Sequence, residues 1–375
     1  MKQPVEERAE TVGIYFVLFD MSGLVLGSQS PGGGIGMIRV GLVGYGFMGK
    51  MHAECYTAAG ARIVSLADVE ADRREEAAAK LGCESFDSIE ALLNGPEVDA
   101  VDICTPTYLH EEHVLAAAAA GKHIFCEKPL SLKLESCERM VSTAKAGEVK
   151  LMVGHVVRFW PDCVVLKSVL DSGRLGRPIW ASARRLSPPA TWAWQGWLQD
   201  PARSGGAILD LHIHDLDFLA WILGRPKQIA SSGIKTETGA YDTALTMCIG
   251  HANGGSSHAE GCLAMPDGFP FTNQLLVVCE KGSVLFDLTA SPSLVVRPAG
   301  APEEYPEVPA PVAGSAAAGG NVSSLGGYYN EIVYFLNCLS ENKQPETITP
   351  EEAAYAVRLC LAATESAETG KVVEV

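Results

Sequence analysis

The first residues able to do chemistry are glycines. Gly44-Tyr45-Gly46-Phe47-Met48-Gly49 sits between an apolar run at 38–43 and a stretch of helical spacing at 47–59. A G-x-G-x-x-G between strand and helix is what a dinucleotide pyrophosphate needs. The first glycine makes a tight turn, the second admits backbone close to the phosphates, and the third packs helix against strand. Phe47 and Met48 fall in the first helical turn, where free N–H groups and the helix dipole favour an anion. A structural glycine turn is the plainer reading. Asp68 closes the next apolar run, where a carboxylate can hold an adenosine ribose and repel a 2′-phosphate. NAD is therefore expected, with Arg73 and Arg74 just downstream leaving NADP open.

Two further clusters carry titratable groups. Glu127-Lys128-Pro129 ends an apolar run at 122–126, and open α/β sheets bind ligands beyond the carboxyl ends of their strands. A simple ion pair of Glu127 with Lys128 is the competing reading. Asp210, His212, His214, Asp215 and Asp217 follow Gly205-Gly206. They invite a metal, but residues two apart on a helix point roughly 200° apart. His212 and His214 then do not share an ion, and no metal is expected. Asp210 and His214 at i and i+4 share a face, with Asp217 beyond. A carboxylate beside an imidazole suits proton transfer.

The elements that must position these groups alternate. Strand patterns at 38–43, 62–67, 98–103, 122–126 and 150–153 are separated by helical patterns at 47–59, 71–81, 108–120 and 134–146. Such alternation implies a parallel sheet covered on both faces. Past residue 155 a helix is expected at 162–171, a strand at 178–185, a Pro/Trp loop at 187–201 and one helix over 206–223. Strand-like stretches at 228–234, 244–250, 256–263, 274–280 and 283–287, joined by short turns, indicate an antiparallel sheet. A Pro/Ala/Gly-rich loop at 300–320 precedes helices at 327–339 and 350–368. The fold class is thus α/β: an N-terminal Rossmann doubly wound parallel sheet, then an α+β domain with an open, largely antiparallel sheet. The expected division is an extension at 1–36 outside the core, a cofactor domain at 37–155, and a substrate-binding and oligomerisation domain at 156–375. The last helix and strand of the latter can pack back on the first domain.

Composition agrees. At 375 residues, roughly two domains fit. The formal net charge of −16 argues against a nucleic-acid partner. No apolar run reaches the ~20 residues that span a bilayer, so no membrane association is expected. Eleven dispersed cysteines without a C-x-x-C point to free thiols and a cytoplasmic setting. Asn321-Val322-Ser323 fits a glycosylation acceptor, without meaning in that setting.

Taken together, the residues resemble the Gfo/Idh/MocA-type oxidoreductases, which include glucose–fructose oxidoreductase and inositol dehydrogenase. The resemblance spans about residues 38–375. It rests on Gly44–Gly49, Thr105-Pro106 with His110, Glu127-Lys128-Pro129, Arg158-Phe159 before Pro161, Gly205-Gly206 with Asp210 and His214, and Ala354, Ser366 and Gly370-Lys371-Val372 at the end. It implies an active site built on Lys128, Asp210 and His214. Thr105, His110 and Glu127 would line the nicotinamide and ribose, and an open sheet would pack between subunits of a homodimer or homotetramer. His212 stands where many members carry glycine. His155, Arg158, Trp197 and His212 are the candidate substrate contacts. The implied reaction is hydride transfer between NAD and a secondary hydroxyl of a sugar, cyclitol or related polyol. Transient oxidation during glycoside cleavage and non-catalytic NAD-responsive binding are the alternatives.

Overall fold

A computed structural model describes residues 38–235, 239–311 and 325–375. The extension at 1–36, the sequon at 321–323 and residues 312–320 of the late Pro/Ala/Gly-rich segment lie outside the described residues. The first half alternates as follows: β1 (Arg39–Val43), α1 (Phe47–Ala58), β2 (Arg62–Ala67), α2 (Ala71–Leu81), β3 (Glu84–Phe86), α3 (Ile89–Leu93), β4 (Ala100–Ile103), α4 (His110–Ala119), β5 (His123–Glu127), α5 (Leu134–Ala146) and β6 (Leu151–Gly154). All pairings are parallel, in the order β3-β2-β1-β4-β5-β6. The order reverses between β1 and β4, which opens a crevice at their carboxyl ends. Helices cover both faces, so the interior strands are apolar nearly throughout; Val40, Leu42, Val101, Ile103, Ile124 and Phe125 are fully buried. Edge strand β3 has no apolar run to announce it and was not expected.

The second half contains α6 (Pro161–Asp171), β7 (Pro178–Leu186), α7 (Pro201–Ser204), α8 (Gly206–Asp210), α9 (Ile213–Leu223), β8 (Gln228–Lys235), β9 (Tyr241–Ile249), β10 (Ser256–Cys262), β11 (Thr272–Cys279), β12 (Gly282–Asp287), β13 (Leu294–Pro298), α10 (Gly326–Ser340), α11 (Pro350–Thr369) and β14 (Val373–Glu374). Eight strands form one sheet, ordered β13-β12-β11-β7-β10-β9-β8-β14. It is mixed: β7 runs parallel to β10, and the other pairings are antiparallel. Alternation along β9 buries Ala244, Thr246 and Cys248 and leaves Leu245 and Met247 half exposed. One face is therefore covered by helices and the other is open. α11 begins in a capping box of Thr349 and Glu352 and contacts both α5 and β6. All eleven cysteines are free. No helix among the described residues is long and apolar enough to cross a membrane.

One expected element is corrected. The helix over 206–223 is broken at Leu211-His212, where the N–H groups of both residues reach Ala207 O, at 3.0 and 2.8 Å. The wide turn frees the Asp210 carbonyl, which an unbroken helix would give to the His214 N–H. Lys128 Nζ takes it instead, at 2.7 Å.

Candidate active site

The carboxyl edge of the parallel sheet and the covered side of the second layer enclose a cleft of about 930 Å³. Its nucleotide end is made by the β1–α1 turn. Gly44 sits at φ +89°, a left-handed conformation that favours glycine, and its N–H bonds Ala67 O at 2.8 Å. A Cβ on Gly46 would meet nothing within 4 Å, so the backbone there faces open cleft; a Cβ on Gly49 would strike Gly44 O at 2.0 Å. No side chain caps α1 and no acid lies in its first turn, so its leading N–H groups are available to phosphate oxygens. The residues present fit a dinucleotide.

Asp68 closes β2 and accepts at both oxygens. Tyr45 N (2.7 Å) and Arg73 Nε (3.0 Å) donate to Oδ2, and Glu70 N (2.9 Å) and Arg73 Nη2 (2.7 Å) donate to Oδ1. Arg73 thus occupies the carboxylate that a ribose would use. A strap from the second half crosses this end: Trp192 packs on Phe47 with ring centroids 4.7 Å apart, and Trp194 Nε1 donates to Glu70 Oε1 at 2.9 Å. Trp197 lines the cleft within the same segment.

The other end is built at β5. The Lys128–Pro129 bond is cis, and Lys128 Nζ reaches Asp210 Oδ1 at 3.0 Å as well as the Asp210 carbonyl. His214 lines the cleft, and its Nδ1 has no hydrogen-bond partner among the described residues. Burial, then the nearby charges of Lys128 and Arg185, push its pKa well below 6.5, so the imidazole is a neutral base at physiological pH. Asp210 therefore pairs with Lys128 rather than orienting His214, because the wide turn carries the two off a shared helical face. Arg185 and Asp215 form a buried ion pair nearby, with Nε 3.2 and 3.1 Å from the two carboxylate oxygens and Nη2 2.9 Å from Oδ1.

Gly44, Gly46, Phe47, Met48, Asp68, Thr105, Glu127, Lys128, Trp197, Asp210 and His214 all line this cleft. Gly49, His110, His155, Arg158 and His212 do not. Gly49 supports the turn from behind, and His110 bridges Thr105 O and Pro129 O, each at 2.9 Å. His212 points into the second layer, with Nε2 2.9 Å from Thr246 Oγ1, and burial lowers its pKa to about 4. Arg158 is buried in a bidentate pair with Asp217 (2.9 and 2.6 Å), and His155 Nδ1 lies 3.4 Å from the same carboxylate. These three candidate contacts are buried outside the cleft lining, which corrects the expectation that they face it; both ring nitrogens of His155 and Nδ1 of His212 have no hydrogen-bond partner among the described residues.

Reading the sequence missed His52, Asp102 and Glu331. His52 Nδ1 lies 2.8 Å from Asp102 Oδ2 and Nε2 lies 3.1 Å from Glu127 Oε1. Burial alone would lower the pKa of His52, but Asp102 raises it well above 6.5. The imidazolium so formed holds Glu127, whose Oε2 accepts the Lys128 N–H at 2.9 Å. The only signal was a histidine one turn after the glycine motif. Its hydrogen-bonding partners, Asp102 and Glu127, come from β4 and β5, and the buried carboxyl of Glu331 on α10 lies within 4.8 Å of the ring and of Glu127.

Comparison with known proteins identifies the family. Residues 38–155 fit the model of an oxidoreductase family with an NAD-binding Rossmann fold, and residues 164–285 fit the GFO/IDH/MocA C-terminal domain. The chain belongs to this family. As a Gfo/Idh/MocA protein it is 37% identical over 191 residues to myo-inositol 2-dehydrogenase of Thermotoga maritima, covering 50% of this chain and 55% of that one. It is 38% identical over 169 residues to 1,5-anhydro-D-fructose reductase of Ensifer adhaerens, covering 44% and 50%. The chain thus spans about half the length of these curated relatives. Levoglucosan dehydrogenase, solved with NADH and levoglucosan, superposes with TM-score 0.80 at 23% identity, covering 90% of this chain and 99% of that one. An Agrobacterium radiobacter oxidoreductase solved with NAD+, L-tartaric acid and magnesium gives 0.80 at 24%, covering 90% and 98%. At these identities the likeness is one of fold.

Proposed function

We propose that the chain transfers a hydride between NAD and a secondary hydroxyl, or the corresponding ketone, of a sugar, cyclitol or related polyol. When bound, the nicotinamide is the redox partner. The observation that carries the reading is the meeting of Lys128 with Asp210, 82 residues away, beside the neutral imidazole of His214 in the NAD cleft, whose Nδ1 has no partner among the described residues. In oxidation a nitrogen of His214 accepts the hydroxyl proton and returns it in reduction. Lys128 Nζ donates to the same oxygen and stabilises its developing negative charge. Asp210 holds the ammonium in place. His52 fixes Glu127, which in turn anchors the Lys128 backbone. Residues 37–155 serve the cofactor and 156–375 the substrate. Ile234, Leu245 and Met247, 70%, 50% and 51% exposed on the open sheet, support assembly into a homodimer or homotetramer.

The test is Lys128→Met assayed by NADH absorbance with inositols, hexoses and anhydrosugars. Turnover should fall about 10²–10³-fold, as for loss of one charge-stabilising donor, while NAD binding by calorimetry persists. Undiminished turnover refutes the assignment.

A further inference from the structure

The charges around His214 close on themselves. Lys128 is matched by Asp210 at 3.0 Å. Arg185 is matched by Asp215, and the pair is 2% and 1% exposed at its side chains. Glu127 is held by His52 at 3.1 Å, and His214 is uncharged. Among the described residues lining this end of the cleft, no cation lacks a carboxylate of its own. The other cleft cations, Lys50 and Arg73, stand on α1 and α2 at the nucleotide end. Apolar surface lies beside these charges: the rings of Trp160 and Phe271 are 5.8 and 5.9 Å from the Arg185 guanidinium carbon, and Leu211 and Leu263 also line the cleft.

We infer that the substrate is an uncharged ring with an apolar C–H face, such as a neutral pyranose, cyclitol or anhydrosugar, and that uronates, sugar phosphates and nucleotide sugars are excluded. The inference rests on the hydride-transfer reading and narrows it. A carboxylate or phosphate entering this end meets Lys128 already neutralised by the partly exposed carboxylate of Asp210, which repels it, and could engage Arg185 only by drawing it from Asp215 in a pair 2% and 1% exposed. Breaking a buried pair that way costs more than the new contact returns. A neutral ring needs no such exchange: its hydroxyls meet Lys128 and His214, and its C–H face rests on the indole and phenyl surfaces.

The experiment uses pairs matched in stereochemistry: glucose with glucuronate, galactose with galacturonate, and myo-inositol with its 1-phosphate. Each is titrated onto the NADH-loaded protein by tryptophan fluorescence and assayed with NAD by absorbance. The methyl ester of galacturonate controls for size. Neutral members and the ester should bind at least about tenfold more tightly than their anionic counterparts, a margin one misplaced charge readily exceeds. Asp215→Asn, which leaves Arg185 uncompensated, should narrow that margin. Anionic members binding or turning over as well as neutral ones overturns the inference and leaves the oxidoreductase reading standing. Selective binding of neutral rings without turnover of any compound supports the inference and removes that reading. Binding of neither class overturns the inference.

Discussion

Arg158 and Asp217 test whether a buried ion pair in this family member is scaffold or substrate site. Asp217→Ala removes two of the four acceptors of a guanidinium that is 3% exposed, at 2.9 Å from Nε and 2.6 Å from Nη2. Stranding a buried charge costs about 3–5 kcal/mol. Arg158 Nη1 keeps Thr347 O at 2.7 Å and Glu352 Oε2 at 3.2 Å, which sets the expectation at the lower end, about 3 kcal/mol. With an unfolding entropy of ~2.1 cal/mol/K per residue, or about 0.7 kcal/mol/K for a unit of this size, the melting temperature should drop by about 4 °C. Replacing both residues by leucine should recover most of that loss, since well-packed apolar groups replace a buried pair at little cost. Calorimetric melting measures the stability, and NAD titration checks that the cleft survives. The pH dependence has a defined sign. Burial raises the Asp217 pKa, but Arg158 more than reverses this and holds it below its usual 3.8. Its stabilisation is complete above the unfolded-state value near ~3.9 and is lost as pH falls below it. The gap between wild type and Asp217→Ala should therefore close in acid. An unchanged melting temperature in Asp217→Ala would refute the reasoning. So would an Arg158→Leu protein of normal stability that has lost only substrate affinity.

Other outcomes follow from the cleft. Gly49→Ala forces a Cβ to within 2.0 Å of Gly44 O; overpacking of this kind costs about 1–3 kcal/mol, and calorimetry should show lost NAD affinity in a protein that still folds. Arg73→Ala removes the guanidinium that fills Asp68, so the NAD-to-NADP ratio of kcat/KM should rise about tenfold, the worth of one charge-assisted hydrogen bond. Because the His214 pKa lies well below 6.5, the acid limb of kcat/KM for oxidation should fall well below pH 6.5; a limb at or above that value would remove His214 as the base.

The parallel half was legible because each of its main strands is a short apolar run between helices of clear period, a pattern set locally by burial on both faces. β3 was not, since an edge strand of Glu84-Ser85-Phe86 carries no such pattern. The glycine turn and Asp68 were likewise readable, because the motif and the chain reversal it encodes occupy adjacent residues. The destinations of Arg158, His155 and His212 were not. Side chains of these types pair with whatever the fold brings near, and Asp217, Thr246 and the Thr347 carbonyl arrive from other elements.

The same division runs through the site. Helical spacing suggested a shared face for Asp210 and His214, which the break between Asp210 and Ile213 undoes. Asp210 pairs instead with Lys128, which arrives from the end of β5 to claim its carbonyl and carboxylate, and local periodicity cannot register that. Local sequence decides which backbone conformations and charges are available. Long-range packing decides which charges neutralise each other, because ion pairing in a desolvated cleft depends on distances across the fold and not along the chain.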